Sequence, residues 1–262
     1  MKLNIQAMTA ESLELNINSI GSQDCRGKYT KALIEYLLPY KNELSETSKN
    51  RLDTNPLRIL DSKSTKDIKI LDAGCGNAGP FILWLFHQGI KVVHGIDLGD
   101  QWIDKLQTFL SSKGISKTQL KLKSGNVLNI PYEDNFFDAI YTKSLIEHIS
   151  NHEHFFKECK RVLKVNGILI TYTPDWETQY LNFYDDITHI KPFTKITLEN
   201  CYKMYGFENC KVEKFYQLPF IWQFPLLKNI LRLISFFIPL RSKIKLFRFA
   251  KELMLIGFAR KS

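Results

Sequence analysis

The run Ile68 to Pro80, I-K-I-L-D-A-G-C-G-N-A-G-P, constrains the chain more than any other segment: a hydrophobic strand ends in an acidic residue, a glycine turn follows, and a helix begins. Ile68, Ile70 and Leu71 supply the buried strand, while Gly74, Gly76 and Gly79 permit a sharp turn and close backbone approach. The helix expected over roughly Pro80 to Gln88 aims its free amide groups back at whatever the turn holds. Such a unit puts a small-ligand site at the carboxyl edge of a parallel sheet. The glycines read G-x-G-x-x-G, a spacing shared with dinucleotide sites. Against a pyrophosphate stands Asp72, immediately before the turn, and the loop holds no basic residue. A carboxylate here suits a cationic group.

The segment L-D-A-G-C-G resembles the first motif of the class I S-adenosylmethionine-dependent methyltransferases, and later segments resemble the rest of that family's core in the right order. The resemblance implies that Asp72, Gly74 and Gly76 hold the methionine moiety, with Cys75 inside the turn counted among the cofactor-binding residues. The second strand, V-V-H-G-I-D-L from Val92 to Leu98, contains Asp97, whose carboxylate in the family takes the ribose hydroxyls, with Leu98 beside it. A carboxylate about twenty residues beyond a glycine turn suits that role on physical grounds too. In the third match, Ser124 to Ile140, the family usually has an Asp near the adenine amino group, where this chain has Asn126 followed by Val127. An amide oxygen still accepts that hydrogen bond, without charge assistance. Asp138 to Tyr141 resembles the fourth strand and S-L-I-E-H-I, Ser144 to Ile149, the loop beyond it; Asp138 reads better as a turn brace than as a ligand contact. A helix over Lys28 to Leu38 is expected, and in the family a helix there lies against the cofactor, with Tyr29 as its candidate contact.

The fold expected is α/β: a Rossmann-like, seven-stranded, mostly parallel sheet with helices on both faces, the last strand antiparallel, and a hydrophobic and basic helical insertion before it. Strands are expected over Lys91–Ile96, Gln119–Lys123, Phe137–Thr142 and Gly167–Thr173, with an antiparallel or edge strand over Phe207–Gln217. Helices are expected over Gln101–Lys113, His152–Lys164 and Thr194–Tyr205. One methyltransferase domain spans 1–262: an N-terminal helix and variable loop region (1–67), a cofactor-binding core (68–217), the insertion (218–250) and a closing strand (251–262).

The formal charge of +9 is unevenly placed, because Lys211 to Ser262 holds eleven Lys or Arg against two Glu and so carries the whole excess. Leu218 to Ala250 has no acidic residue and a broad apolar face from Leu226 to Phe237, interrupted by Lys228, Arg232, Pro225 and Pro239. Those breaks argue against a membrane span. They leave a lid over an apolar pocket, a surface for self-association, or an interfacial helix against anionic lipid; nucleic acid ranks behind these. Five cysteines, an odd number without paired metal-ligand spacing, indicate a reducing compartment and no metal site. The amino terminus lacks a signal-like apolar stretch, so the expected location is cytoplasmic or peripheral at the inner face of a membrane.

The resemblance implies S-adenosyl-L-methionine as cofactor and methyl transfer to a small-molecule or lipid-like acceptor. RNA methylation and an inactive cofactor-binding scaffold are the alternatives. No N/D-P-P-Y/W motif for nucleic-acid amino groups is present; T-P-D-W at Thr173 to Trp176 is a poor match. His148 and His189 are the candidate proton acceptors. Asp175, Trp176, Tyr180 and Tyr184 are candidate walls of an acceptor pocket, their aromatic density suiting an apolar or planar substrate.

Overall fold

The computed structural model describes residues 68–76, 82, 91–112, 114–216, 229–231, 233, 248 and 250–262. Seven strands form one sheet: β1 (Ile70–Ala73), β2 (Val93–Asp97), β3 (Leu120–Ser124), β4 (Phe137–Lys143), β5 (Leu163–Pro174), β6 (Phe207–Phe215) and β7 (Met254–Lys261). Their order is β3-β2-β1-β4-β5-β7-β6. Strands β1 to β5 run parallel to one another, and β7 is antiparallel to both β5 and β6. The flanking helices include α1 (Asp100–Ser112), α2 (His152–Val162), α3 (Trp176–Gln179) and α4 (Lys195–Met204). The expected architecture is therefore the observed one. The helices expected over Lys28–Leu38 and Pro80–Gln88 and nearly all of the 218–250 insertion lie outside the described residues, as do Tyr29 and Gly79.

All four residues of β1 are buried, as befits a strand with neighbours on both sides and cover on both faces. From β1 the chain moves outward through β2 to β3, then returns to place β4 on the other side of β1. That reversal opens a crevice at the carboxyl ends of β1 and β4, the place where open α/β sheets bind ligands. Beneath it lies a continuous core that includes Leu71, Ile96, Ile140, Phe155, Phe156, Phe193, Tyr202 and Leu255.

Local chemistry sets the helix ends. Thr194 caps α4 through a reciprocal capping box with Thr197, and Gly206 beyond the helix adopts φ +77°. Asn151 caps α2 by accepting the His154 amide. Two boundaries differ from expectation. Helix α2 stops at Val162, and β5 begins at Leu163, which turns extended and pairs with Phe137. The turn read at Asn166 and Gly167 is present as a kink within β5, with Asn166 at φ +63° and a register shift opposite Phe137 to Ala139. Asp138 braces the opposite end of the sheet from the crevice. Its carboxylate accepts the Lys69 amide at 3.1 Å and pairs with Lys164 at 2.7 Å.

Candidate functional site

The glycine turn is built onto β2. The amides of Gly74 and Cys75 both donate to the carbonyl of Ile96, at 2.9 and 3.0 Å, which folds the turn across the carboxyl end of the neighbouring strand. Gly74 and Gly76 take φ values of +74° and +42°, conformations that L side chains rarely adopt. At Gly74 a Cβ would also stand 2.9 Å from Leu145, which follows β4, so the turn and the β4 loop are in intimate contact. The side chain of Cys75 points inward against Gly95 and is almost wholly buried. Burial pushes its thiol upward, beyond reach of nucleophilic use.

Asp97 locks this arrangement. Its Oδ2 accepts the Gly76 amide at 2.8 Å and its Oδ1 the Gly99 amide at 3.1 Å, so one carboxylate joins the glycine turn to the approach of α1. An ionised carboxylate has about four acceptor sites, which leaves capacity for two hydroxyls. Leu98, beside it, is 72% exposed, an apolar surface at the crevice mouth. Asn126 is exposed and Val127 buried at the end of β3, with Asn126 Oδ1 accepting the Leu128 amide at 2.9 Å. In this state Asn126 is organising its own turn.

Asp72 is the unsettled group. It is 2% exposed, and its Oδ2 has no hydrogen-bond partner among the described residues. Burial first, and the Asp97 carboxylate second, push it up to about 8, against an opposing pull from Lys143. A buried carboxyl held part-protonated at neutral pH is a receptor for positive charge.

Across the crevice, β4 ends at Lys143, and Ser144 follows with φ +50°. A single 3-10 turn over Ile146–His148 follows. Glu147 is fully buried, its Oε2 accepting the Thr173 hydroxyl at 2.9 Å while Oε1 has no partner among the described residues. Burial pushes this carboxyl up to about 7, opposed by hydrogen bonds from the backbone and Thr173. The Glu147 carbonyl receives the Ile190 amide at 2.7 Å, tying this loop to the one beyond β5. That tie brings His189 to His148, with ring centroids 4.8 Å apart. The two sequence-predicted histidines thus share one place. Glu147, their buried companion, was missed, and an acidic residue beside a histidine just past a strand end was the only signal for it.

The four pocket candidates separate by exposure. Asp175 is fully buried; it accepts the Glu177 amide at the start of α3 and pairs with Lys214 at 3.0 Å, which is bracing work. Trp176 packs with Phe183 and Tyr184, centroids 5.5 and 5.8 Å away. Tyr180 and Tyr184 are more than half exposed, as are Ile187 and Ile190 beyond them.

Residues 71–171 match the model of the methyltransferase domain family. Phosphoethanolamine N-methyltransferase 2 of Haemonchus contortus, solved with S-adenosyl-L-methionine, is similar with a TM-score of 0.61 at 16% identity, over 99% of this chain and 59% of that one. An S-adenosylmethionine-dependent methyltransferase of Mesorhizobium loti gives 0.56 at 17% identity, over 78% and 95%. Identities this low speak to fold alone. A different kinship appears in the histidine–tRNA ligase of Protochlamydia amoebophila, 54% identical over 61 residues, or 23% of this chain. The chain spans only 14% of that ligase.

Proposed function

We propose that this chain is a class I S-adenosylmethionine-dependent methyltransferase, a reading supported by its sheet order and by the match of residues 71–171 to the methyltransferase domain family, and that it moves the cofactor's methyl group to a small-molecule or lipid-like acceptor. The observation that carries the reading is Asp72: a buried carboxyl with an unpartnered oxygen, next to a positive-φ glycine turn at the switch point of the sheet. S-adenosylmethionine brings a sulfonium and an ammonium, and Asp72 is placed to answer such charge. Asp97 takes the ribose hydroxyls with the acceptor capacity that Gly76 and Gly99 leave, Leu98 and Val127 flank the adenine, and Asn126 receives its amino group. Tyr29, outside the described residues, is the candidate contact from the N-terminal region.

In the reaction the acceptor's lone pair forms the new bond to the methyl carbon as the carbon–sulfur bond breaks in line, and the sulfur keeps the electron pair. The protein aligns the two molecules and excludes water. His148 and His189 lie on the acceptor side, where an acceptor hydroxyl or ammonium must shed a proton. The exposed apolar side chains of Tyr180, Leu181, Tyr184, Ile187 and Ile190, with Trp176 packed against Tyr184, suit an apolar or planar acceptor. For the 218–250 segment, most of which lies outside the described residues, the sequence leaves three roles open: cover for that acceptor, self-association, or contact with an anionic membrane. Among the described residues no helix is long and apolar enough to cross a membrane.

A second reading, methylation of RNA, is favoured by the similarity to a tRNA ligase, 54% identical over 61 residues, and by the +9 charge concentrated from Lys211 onward. Calorimetry with S-adenosylmethionine and its demethylated product, followed by labelled-methyl transfer to metabolite pools, lipid extracts and tRNA, tests both. Saturable cofactor binding with label in none of the three would leave a cofactor-binding scaffold and end the enzymatic reading.

A further inference from the structure

His148 and His189 belong to different loops, yet each offers a ring nitrogen to the same buried carboxylate: one ligand atom from each of Glu147, His148 and His189 lies within 4.8 Å of the other two. Glu147 is buried, and its Oε1 has no partner among the described residues, a costly state unless something positive reaches it. The histidines are oriented from behind. His148 Nδ1 lies 3.1 Å from the Thr188 carbonyl, and His189 Nδ1 lies 2.6 Å from the Phe183 carbonyl. A carbonyl can only accept, so both Nδ1 atoms carry hydrogen, and in neutral rings the lone pair sits on Nε2. Restraining the far nitrogen in this way fixes the ring and strengthens a histidine as a metal ligand. Burial also disfavours the protonated form of His148. Asp186 Oδ2, 3.9 Å from His189 Nε2, supplies a further oxygen within reach.

We propose that Glu147, His148 and His189 bind a divalent transition-metal ion of the zinc or cobalt class, with Asp186, water or an acceptor oxygen completing its shell. Two imidazoles and one carboxylate suit such an ion better than magnesium or calcium, which prefer all-oxygen sites. Ligands about 2.0–2.1 Å from a tetrahedral zinc stand roughly 3.3 Å apart, so the cluster must close by no more than about 1.5 Å, within the reach of side-chain rotation. The site stands two residues beyond Leu145, the side chain against the glycine turn. An ion there would polarise an acceptor hydroxyl and ease loss of its proton, with both histidine lone pairs then committed to the metal. That consequence rests on the methyl-transfer reading; the binding site does not.

Chelator-treated full-length protein is titrated with cobalt(II) and zinc(II), followed by calorimetry and by cobalt absorption. One ion per chain is expected, with a nitrogen–oxygen cobalt spectrum free of sulfur charge transfer. His148→Ala and His189→Ala should each weaken binding by about 100-fold or more, whereas His154→Ala, at an exposed position on α2, should change nothing. In the unmutated protein labelled with nitrogen-15 histidine, zinc should shift the Nε2 signals of His148 and His189 and leave His154 alone. Absence of stoichiometric uptake, unmoved His148 and His189 signals, or an equal response at His154 each overturns the site. S-adenosylmethionine calorimetry on the same sample separates the two claims: cofactor without metal ends the metal site alone, and metal without cofactor ends the methyl-transfer reading alone.

Discussion

Asp72→Asn isolates the charge chemistry of the cofactor site. In the ligand-free protein the Asp72 carboxyl is raised from 3.8 to about 8, chiefly by burial, with Asp97 adding to the shift and Lys143 opposing it. A raised folded-state value contributes stability that is fully present below pH 4 and lost as pH climbs through 8. At about 1.4 kcal/mol per unit, the loss between pH 6 and pH 9 amounts to roughly 3 kcal/mol. The asparagine protein lacks that slope and should gain on the parent as pH rises. Cofactor binding reverses the bias, because a cation beside Asp72 favours the ionised form. At pH 7 the parent should therefore release close to one proton per cofactor bound, falling toward zero at pH 9.5. Calorimetry in buffers of different ionisation enthalpy reads that number directly. Asp72→Asn should release none through this group and bind at least ~10-fold more weakly, as expected for losing about 1.4 kcal/mol or more of charge pairing. A parent that binds the cofactor at pH 7 without proton release, or an asparagine variant of equal affinity, would refute the reasoning.

Asp97→Ala removes the acceptor for the Gly76 and Gly99 amides; it should abolish measurable cofactor binding and cost about 1–3 kcal/mol of stability in urea titration. Gly74→Ala forces a side chain into φ +74° and against Leu145, which should lower stability by about 1–2 kcal/mol and weaken cofactor binding more than a surface Gly114→Ala of similar backbone conformation does. Thr194→Ala breaks the capping box of α4 and should cost about 1 kcal/mol without altering cofactor affinity. Removing 218–250 should lower flotation with anionic liposomes if that segment touches membrane, and lipid-independent behaviour would assign it to acceptor cover or self-association.

The cofactor half of the site was legible because its parts are consecutive. Leu71, Asp72, Gly74 and Gly76 lie within six positions, and the chemistry of each position is visible from residue type alone: apolar for a strand buried on both sides, glycine where φ turns positive. Asp97 is equally readable at the end of its own apolar run. The acceptor half is assembled by strand neighbourhood. His148 and His189 meet because β5 lies beside β4 and the Glu147 carbonyl captures the Ile190 amide, a pairing no local pattern encodes. Asp175 shows the reverse failure. Placed among aromatics, it reads as a pocket wall, whereas Lys214 on β6 and the Glu177 amide of α3 claim its carboxylate. The start of β5 was misplaced for a similar reason, since Leu163 is drawn into the sheet by Phe137, a partner on another strand.

The two halves of the crevice also differ in how much of their final geometry exists before any ligand arrives. On the β1 and β2 side, Asp97 already spends one acceptor site of each oxygen on a backbone amide, so the turn is preorganised and the ribose needs only to add to a finished frame. Asp72 is the exception: its Oδ2 has no partner among the described residues, and under the proposed reading a cation supplies one. On the β4 and β5 side, Glu147 repeats that arrangement, with one oxygen satisfied by Thr173 and the other left for a guest. Two buried carboxyls, each with one oxygen lacking a partner among the described residues and each raised toward neutral pH, lie at the carboxyl ends of β1 and β4. Their cost to the folded chain is recovered only when positive charge occupies both places, which makes ligand-dependent stabilisation, measured separately for cofactor and metal, the quantity that links fold to function here.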